Sequence, residues 1–213
     1  MPKPLSDFLP QVLTHVPGCI DLLAKNAVLE AAIEFCERTK VNDEALAAID
    51  VLADTGTYNL TAPASTEIVE ILSVKHDGES LDPTSRAALD ADRPDWETDT
   101  DTPLAYFSDP GRTTVTLGPT PDADLVGGLV VRAAVRPART ATTIDDFLYN
   151  QHLQAIAHGA LARLFAMAKK EWTSAAKSKE HRDAFDLQIS NATVKRAKGH
   201  VNAPLRTTPY YSI

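Results

Sequence analysis

The stretch Leu129-Val-Val-Arg-Ala-Ala-Val-Arg136 decides the fold class. Leu129, Val131, Ala133 and Val135 alternate with Val130, Arg132, Ala134 and Arg136. A period of two, with one apolar row and one mixed row, is the pattern of a half-buried strand. Both ends of the chain carry the helical period instead. Strands gathered between two helical blocks predict an α+β fold rather than alternating α/β.

Working outward, the region from about Ala45 to Arg136 reads as short strands separated by turns. Thr66 to Lys75 is rich in Ile and Val, and Arg112 to Leu117 alternates with Thr113, Val115 and Leu117 on one face. Asp109-Pro-Gly111 is a strong turn that joins a hairpin. One short helix is expected inside this region, with Asp82 as cap, Pro83 at the first helical position and Thr84 to Leu89 following.

Toward the N-terminus, Ser6 is placed to cap a first helix carrying Phe8, Leu9, Val12 and Leu13, and Pro17-Gly18 breaks it. A second helix runs from about Ile20 to Arg38, with Leu22, Leu29, Ile33 and Cys36 on one stripe. Glu30, Glu34, Glu37, Arg38 and Lys40 form its solvated side or a rim between subunits. Toward the C-terminus, Thr143 and Asp146 have capping-box spacing. The helix after them, about 144–168, holds Leu148, Ala155, Ile156, Gly159, Ala160, Leu164 and Met167. Its small residues let a partner helix approach closely. A last helix covers about 172–198, with Phe185 and Ile189 one turn apart. The expected organisation is a helical bundle from 1–44 and 140–198, a small antiparallel β-rich insertion at 45–139, and an extended C-terminal arm at 199–213.

That arm stands out. The last twenty-seven residues contain no Asp or Glu, in a chain of net charge -8. The arm has two prolines, two tyrosines and an apolar end. A free, solvated terminus usually has few aromatics and more charge. The segment therefore reads as a docking arm, whose partner-binding residues are Val201, Pro204, Leu205, Arg206, Pro209, Tyr210, Tyr211 and Ile213.

Several chemistries lack their signatures. Gly127-Gly128 lies in an apolar strand-like stretch, not in a phosphate loop before a helix. There is no Gly-x-Ser-x-Gly elbow. The six histidines show no metal-ligand spacing, and His152 and His158 fall on different sides of a helix. No catalytic, cofactor or metal site is expected. Cys19 and Cys36 read as free thiols, Cys36 on the core face of its helix. From Asp77 to Asp101 nine acids face only Arg86 and Arg93. That stretch reads as a solvated acidic loop, with Trp96 anchoring it. No apolar run spans a bilayer and no signal peptide opens the chain, so folding in a cytoplasm is expected. The acidic balance argues against a body that grips phosphates. Lys195, Arg196 and Lys198 are a local exception, and they also suit a helix C-terminus.

Four blocks carry a resemblance: Phe8-Leu-Pro-Gln-Val-Leu-Thr-His-Val-Pro-Gly-Cys19, Ala31-Ala-Ile-Glu-Phe-Cys-Glu-Arg-Thr39, Ala157-His-Gly-Ala-Leu-Ala-Arg-Leu164 and Ala203-Pro-Leu-Arg-Thr-Thr-Pro209. In this order they resemble the tailed-phage head–tail adaptor (connector, or head-completion) proteins, over nearly the full chain. The resemblance implies a structural virion protein with no catalysis and no cofactor. It implies a homo-oligomeric ring, typically of twelve copies, assembled in the host cytoplasm and seated at the head–tail junction. The C-terminal arm would dock on the portal protein, and the other face would receive a downstream tail or nozzle protein. Packaged DNA would pass through the lumen without specific binding. Alternatives are another neck or tail-completion protein, a cell-wall glycosidase using Glu34, and a DNA-binding accessory protein acting through Lys195–Lys198.

Overall fold

A computed structural model of the chain describes residues 1–199 and Val201. The arm residues Pro204, Leu205, Arg206, Pro209, Tyr210, Tyr211 and Ile213 lie outside the described residues.

The fold is α+β. The chain opens with β1 (Lys3–Pro4), a 3-10 turn at Leu5–Phe8, α1 (Leu9–Leu13) and α2 (Asp21–Thr39). Next come β2 (Asp43–Ala45), β3 (Ile49–Val51), β4 (Thr57–Asn59), β5 (Thr66–His76), β6 (Glu79–Ser80), β7 (Asp82–Pro83) and α3 (Arg86–Asp92). After these follow β8 (Ala105–Ser108), β9 (Thr114–Gly118), β10 (Leu125–Pro137), β11 (Thr143–Ile144), α4 (Asp146–Ala166) and α5 (Ala175–Ala197). The chain divides into two compact units. One is Met1–Val41 with the described residues from Arg139 on, and the other is Asn42–Ala138.

In the middle unit β10 is the central strand. It pairs antiparallel with β5 along that strand's whole length, and with β2 and β3 on its other side. Leu129, Val131, Ala133 and Val135 are all fully buried, as their alternation requires. Ala134 is buried too, against the pattern. The β10–β5 register shifts between Arg132 and Ala133 and again between Ala134 and Val135. Such bulges break the period of two and bend the sheet, so consecutive small residues turn inward. The second sheet has the order β4-β9-β8-β7. Val115 and Leu117 of β9 join Leu129, Val131 and Val74 in one core.

The Asp109 turn joins β8 to β9. The Asp109 carboxylate accepts the backbone N–H groups of Gly111, Thr113 and Thr114 at 2.7–2.9 Å. Bonding from the Thr114 N–H, with the other donors of the turn, pulls this carboxyl down to about 2. The expected helix start at Asp82-Pro83 is corrected. Those residues form β7, parallel to β8. The helix begins at Arg86, where the Ser85 hydroxyl accepts the Ala88 N–H at 3.2 Å. Serine caps as well as aspartate, Asp82 is taken up by strand pairing, and Pro83 lacks only an N–H that a two-residue edge strand can spare.

In the helical unit α4 packs against both α2 and α5. Leu29, Ile33 and Cys36 of α2 are buried, but Leu22 is 67% exposed. The buried surface of α2 is broader than a stripe, because Ala24, Ala27, Ala31 and Ala32 admit neighbours on several sides. Ser6 lies inside the 3-10 turn and caps nothing, and α1 carries Pro10 in its first turn without a side-chain cap. Thr143 pairs with Pro4 in the β1–β11 ribbon instead of closing a capping box. Asp145 is the cap residue of α4, and its side chain does not make the capping bond. The last helix starts at Ala175, three residues later than Trp172, with Ser174 capping it. Trp172 stays in the preceding turn and donates its indole N–H to the Leu164 carbonyl at 3.1 Å.

Candidate partner-binding site

The segment expected to act as the docking arm follows the end of α5. The helix stops at Ala197, and Gly199 follows with φ +62°, a left-handed conformation that glycine adopts at no steric cost. Lys195, Arg196 and Lys198 sit where the last carbonyls concentrate negative potential, worth about 0.3–1 kcal/mol each when exposed. Among the described residues none of the three has an ion-pair partner. Val201, the one expected partner-binding residue that is described, is 66% exposed. Beside it is a groove of about 630 Å³ lined by Val41, Phe147, Gln151, Lys195, Lys198 and Val201. Phe147 and Gln151 are one turn apart on α4, and Lys195 lies in the last turn of α5 with Lys198 just after it as the cap residue. The groove is thus lined by apolar Val41, Phe147 and Val201 together with Gln151 and two lysines.

Reading by stripe and motif missed Val41, Phe147 and Gln151. The available signal was the one-turn spacing of Phe147 and Gln151, which marks a helix face but not what faces it.

Glu34 was the candidate acid of the glycosidase alternative. Its carboxylate accepts a two-pronged bond from Arg182, at 3.0 and 2.6 Å. It also accepts from Arg163, and from Arg38 at 3.1 Å. Arg38 and Arg182 both reach on to Asp186. Burial would raise this carboxyl, but the Arg182 hydrogen bonds and the charges of Arg163 and Arg182 outweigh it and hold it below its ordinary value. A general acid for glycoside cleavage needs the opposite shift. The cluster ties α2, α4 and α5 together.

A second cluster was not legible in the sequence. His158 of α4 and His181 of α5 share a hydrogen bond between their Nδ1 atoms at 2.8 Å. Phe165 stacks on His181 at 5.4 Å, and His15 meets it edge-on at 6.1 Å. The bond exists only while at least one ring is neutral. Burial, followed by nearby positive charge, lowers both histidines from their ordinary value of 6.5. The unfolded chain therefore binds protons more readily. The stability this pair confers is present above about pH 6.5 and is lost as the pH falls through the lowered folded values. The melting temperature is expected to drop between pH 7.5 and 5, and less steeply in His181→Gln. Equal slopes in the two proteins would contradict this role.

His152 takes neither part. It packs on Phe35 at 4.8 Å and interrupts the regular dihedrals of α4. Cys36 is fully buried and its thiol is pushed far up by that burial. In the acidic stretch Arg93 bridges Asp99 and Asp101, and Arg86 pairs with Glu97. Trp96 is 4% exposed, set edge-on against Phe107, with its N–H on Asp90 at 2.8 Å. It anchors that stretch within its own unit. Among the described residues no group of three His, Cys, Asp or Glu side chains could hold a metal ion. No helix among them is long and apolar enough to cross a membrane.

The features that stand out are a cationic helix end and two internal polar ties, which suit a protein that assembles with others. Comparison with known families places it among tailed-phage adaptors. The chain belongs to the SU10 adaptor protein family, whose model matches residues 5–208. No curated protein matches the chain. Membership accounts for the four blocks that resemble head–tail adaptors and makes the chain a bacteriophage structural protein.

Proposed function

We propose that this protein is the subunit of a head–tail adaptor ring that docks on the portal through its C-terminal arm and receives a tail component on its other face. The single supporting observation is the combination at the end of α5: an acid-free, aromatic segment follows directly on an exposed cationic helix terminus, in a chain matched to the adaptor family over 5–208. Head-to-tail contacts between unlike surfaces close into rings. The acidic stretch of the middle unit and the cations of the helical unit are such unlike surfaces. Repetition around a ring turns a modest gain per arm into firm attachment by avidity. The family resemblance suggests twelve copies. A net charge of -8 suits a lumen through which DNA passes without sticking. The lytic alternative is disfavoured because Glu34 is an ion-pair hub with a lowered pKa.

The test is electron microscopy of the protein mixed with the portal of the same genome, full-length beside a 1–198 truncation. Rings on the portal are expected only with the full-length chain, and the truncated body should melt within a few degrees of it. Rings formed equally by the truncation would overturn the arm's role. Unfolding of the truncation would make the tail an internal strap instead.

A further inference from the structure

We infer that neighbouring copies join by seating an apolar knob of the middle unit, Leu52 with Val126, in a groove of the next copy's helical unit. This rests on the head-to-tail ring reading and names the surfaces that meet in it. Val126 is 90% exposed and Leu52 54% exposed. Each directly follows one member of the paired residues Val51 and Leu125. A lone exposed apolar residue needs no explanation, but these two are held out by the backbone. From Leu125 to Leu129 β10 takes four steps where β3 takes two, so two extra residues bulge. Gly127 adopts a left-handed φ of +62° in that bulge, and a Cβ on Gly128 would collide with the Leu125 side chain. The Gly127 N–H is donated to the Asp50 carboxylate and the Ala53 N–H to that of Asp124, each at 2.7 Å. Both apolar residues thus stand on tied backbone, and little freedom is lost when a partner covers them.

Charge then selects the occupant. Residues 42–138 hold eighteen acids against six bases, and the rest of the chain eleven acids against fifteen bases. By these counts the middle unit is net -12 and the helical unit net +4. The knob lies in the acidic part: Asp50, Asp54, Asp122 and Asp124 flank it, with no Lys or Arg between Lys40 and Lys75 or between Arg112 and Arg132. The groove has the opposite character. It has about 320 Å³, and its lining includes Leu5, Leu22, Leu29 and Ala141 with Lys25 and Arg139. Leu22, which fits the stripe of α2 and yet is exposed, is one of its walls, and Ile20 nearby is exposed too. Arg139 is matched by Glu30 at 2.9 Å, whereas Lys25 has no ion-pair partner among the described residues. A volume at the small end of the roughly 300–1,000 Å³ of ordinary pockets takes side chains rather than a helix.

The pairing has a direction. Each copy offers one acidic knob and one basic groove, so its two surfaces are unlike, as a head-to-tail contact requires. Knob against knob would set acids against acids, which disfavours a two-fold dimer. Burial of Leu52 and Val126 holds the copies together, and the charges around them set the orientation.

The experiment is disulfide trapping in full-length chains carrying Cys19→Ser, with Cys36 left in the core. Chains with Leu22→Cys alone are mixed at high concentration with chains with Val126→Cys alone, once without and once with the portal of the same genome. A mixed dimer is expected, with little dimer from either chain by itself, and high salt should lower its yield severalfold. The chain carrying both substitutions should give a ladder of dimers, trimers and larger species. Both positions are exposed, so the variants should melt with the parent. No mixed dimer in either mixture overturns the proposal, as does equal trapping when Gln151→Cys replaces Leu22→Cys. A disulfide closed within single chains of the double variant at high dilution also overturns it, because knob and groove would then meet in one copy. Rings on the portal without the mixed dimer would sink this interface alone. A mixed dimer without rings would uphold the interface and count against docking on the portal.

Discussion

Gly159→Leu is expected to cost the helical unit about 3 kcal/mol, at the upper end of overpacking effects. Gly159 lies on α4 where that helix meets both of its neighbours. A Cβ there would stand 2.9 Å from the Ala31 Cβ of α2, and 2.9 and 3.0 Å from the Cε2 and Cζ of Phe185 of α5. Phe185 is fully buried and cannot swing away, and the Ala31 methyl has no rotamer to change. The helices themselves would have to separate, and leucine adds three carbons beyond that Cβ. Alanine is the informative control. It gains about 1 kcal/mol of helix propensity over glycine, but its Cβ would already stand 2.9 Å from Ala31 and Phe185, so the helices must shift for it too. Its cost should still be smaller than that of leucine, which adds three further carbons. Each unit holds one of the two tryptophans, Trp172 in the helical unit and Trp96 in the other. Urea unfolding followed by fluorescence in a Trp96→Phe background therefore reports the helical unit alone. A leucine variant with an unchanged midpoint would contradict the close packing.

That contact shows what was legible in the sequence. Small residues on α4 imply close helix approach whatever the partner, because the reasoning needs only side-chain size. The buried row of β10 was legible for the same kind of reason, since a period of two is a property of the strand itself. Where the reading failed, long-range contacts overrode local preference. Thr143 has capping-box spacing but is taken up by pairing with Pro4. Asp82-Pro83 looks like a helix start but joins β8 as a strand. Leu22 fits the stripe of α2 and yet is exposed, because a helix end can outrun its neighbours. The candidate site divides in the same way. The arm shows in composition, whereas the groove needs residues 41, 147 and 195 brought together. The histidine pair has a spacing of twenty-three residues, which carries no signal at all.

Glu34→Ala should cost about 2–3 kcal/mol, less than the 3–5 kcal/mol typical of a fully buried pair because the cluster is partly solvated. The Glu34 side chain is 20% exposed, and those of Arg163 and Arg182 are 27% and 43% exposed. Removing the carboxylate leaves Arg163, Arg182 and Arg38 gathered at one spot with Asp186 as the remaining acid of the cluster. Two effects then add: lost charge-assisted bonds and uncompensated repulsion. Glu34→Gln keeps the shape and one acceptor, so its loss should be about half as large. The pH dependence separates this account from a packing defect. The folded carboxyl titrates below its ordinary 4.5, so its contribution is complete above about that pH and vanishes as the pH falls through the lowered value. The stability gap between wild type and Glu34→Gln should therefore be widest near neutrality and close in acid, as the pH falls through the lowered value. A gap constant with pH would mean that shape rather than charge is what Glu34 supplies. A variant as stable as wild type would remove the hub from the account of how α2, α4 and α5 stay joined.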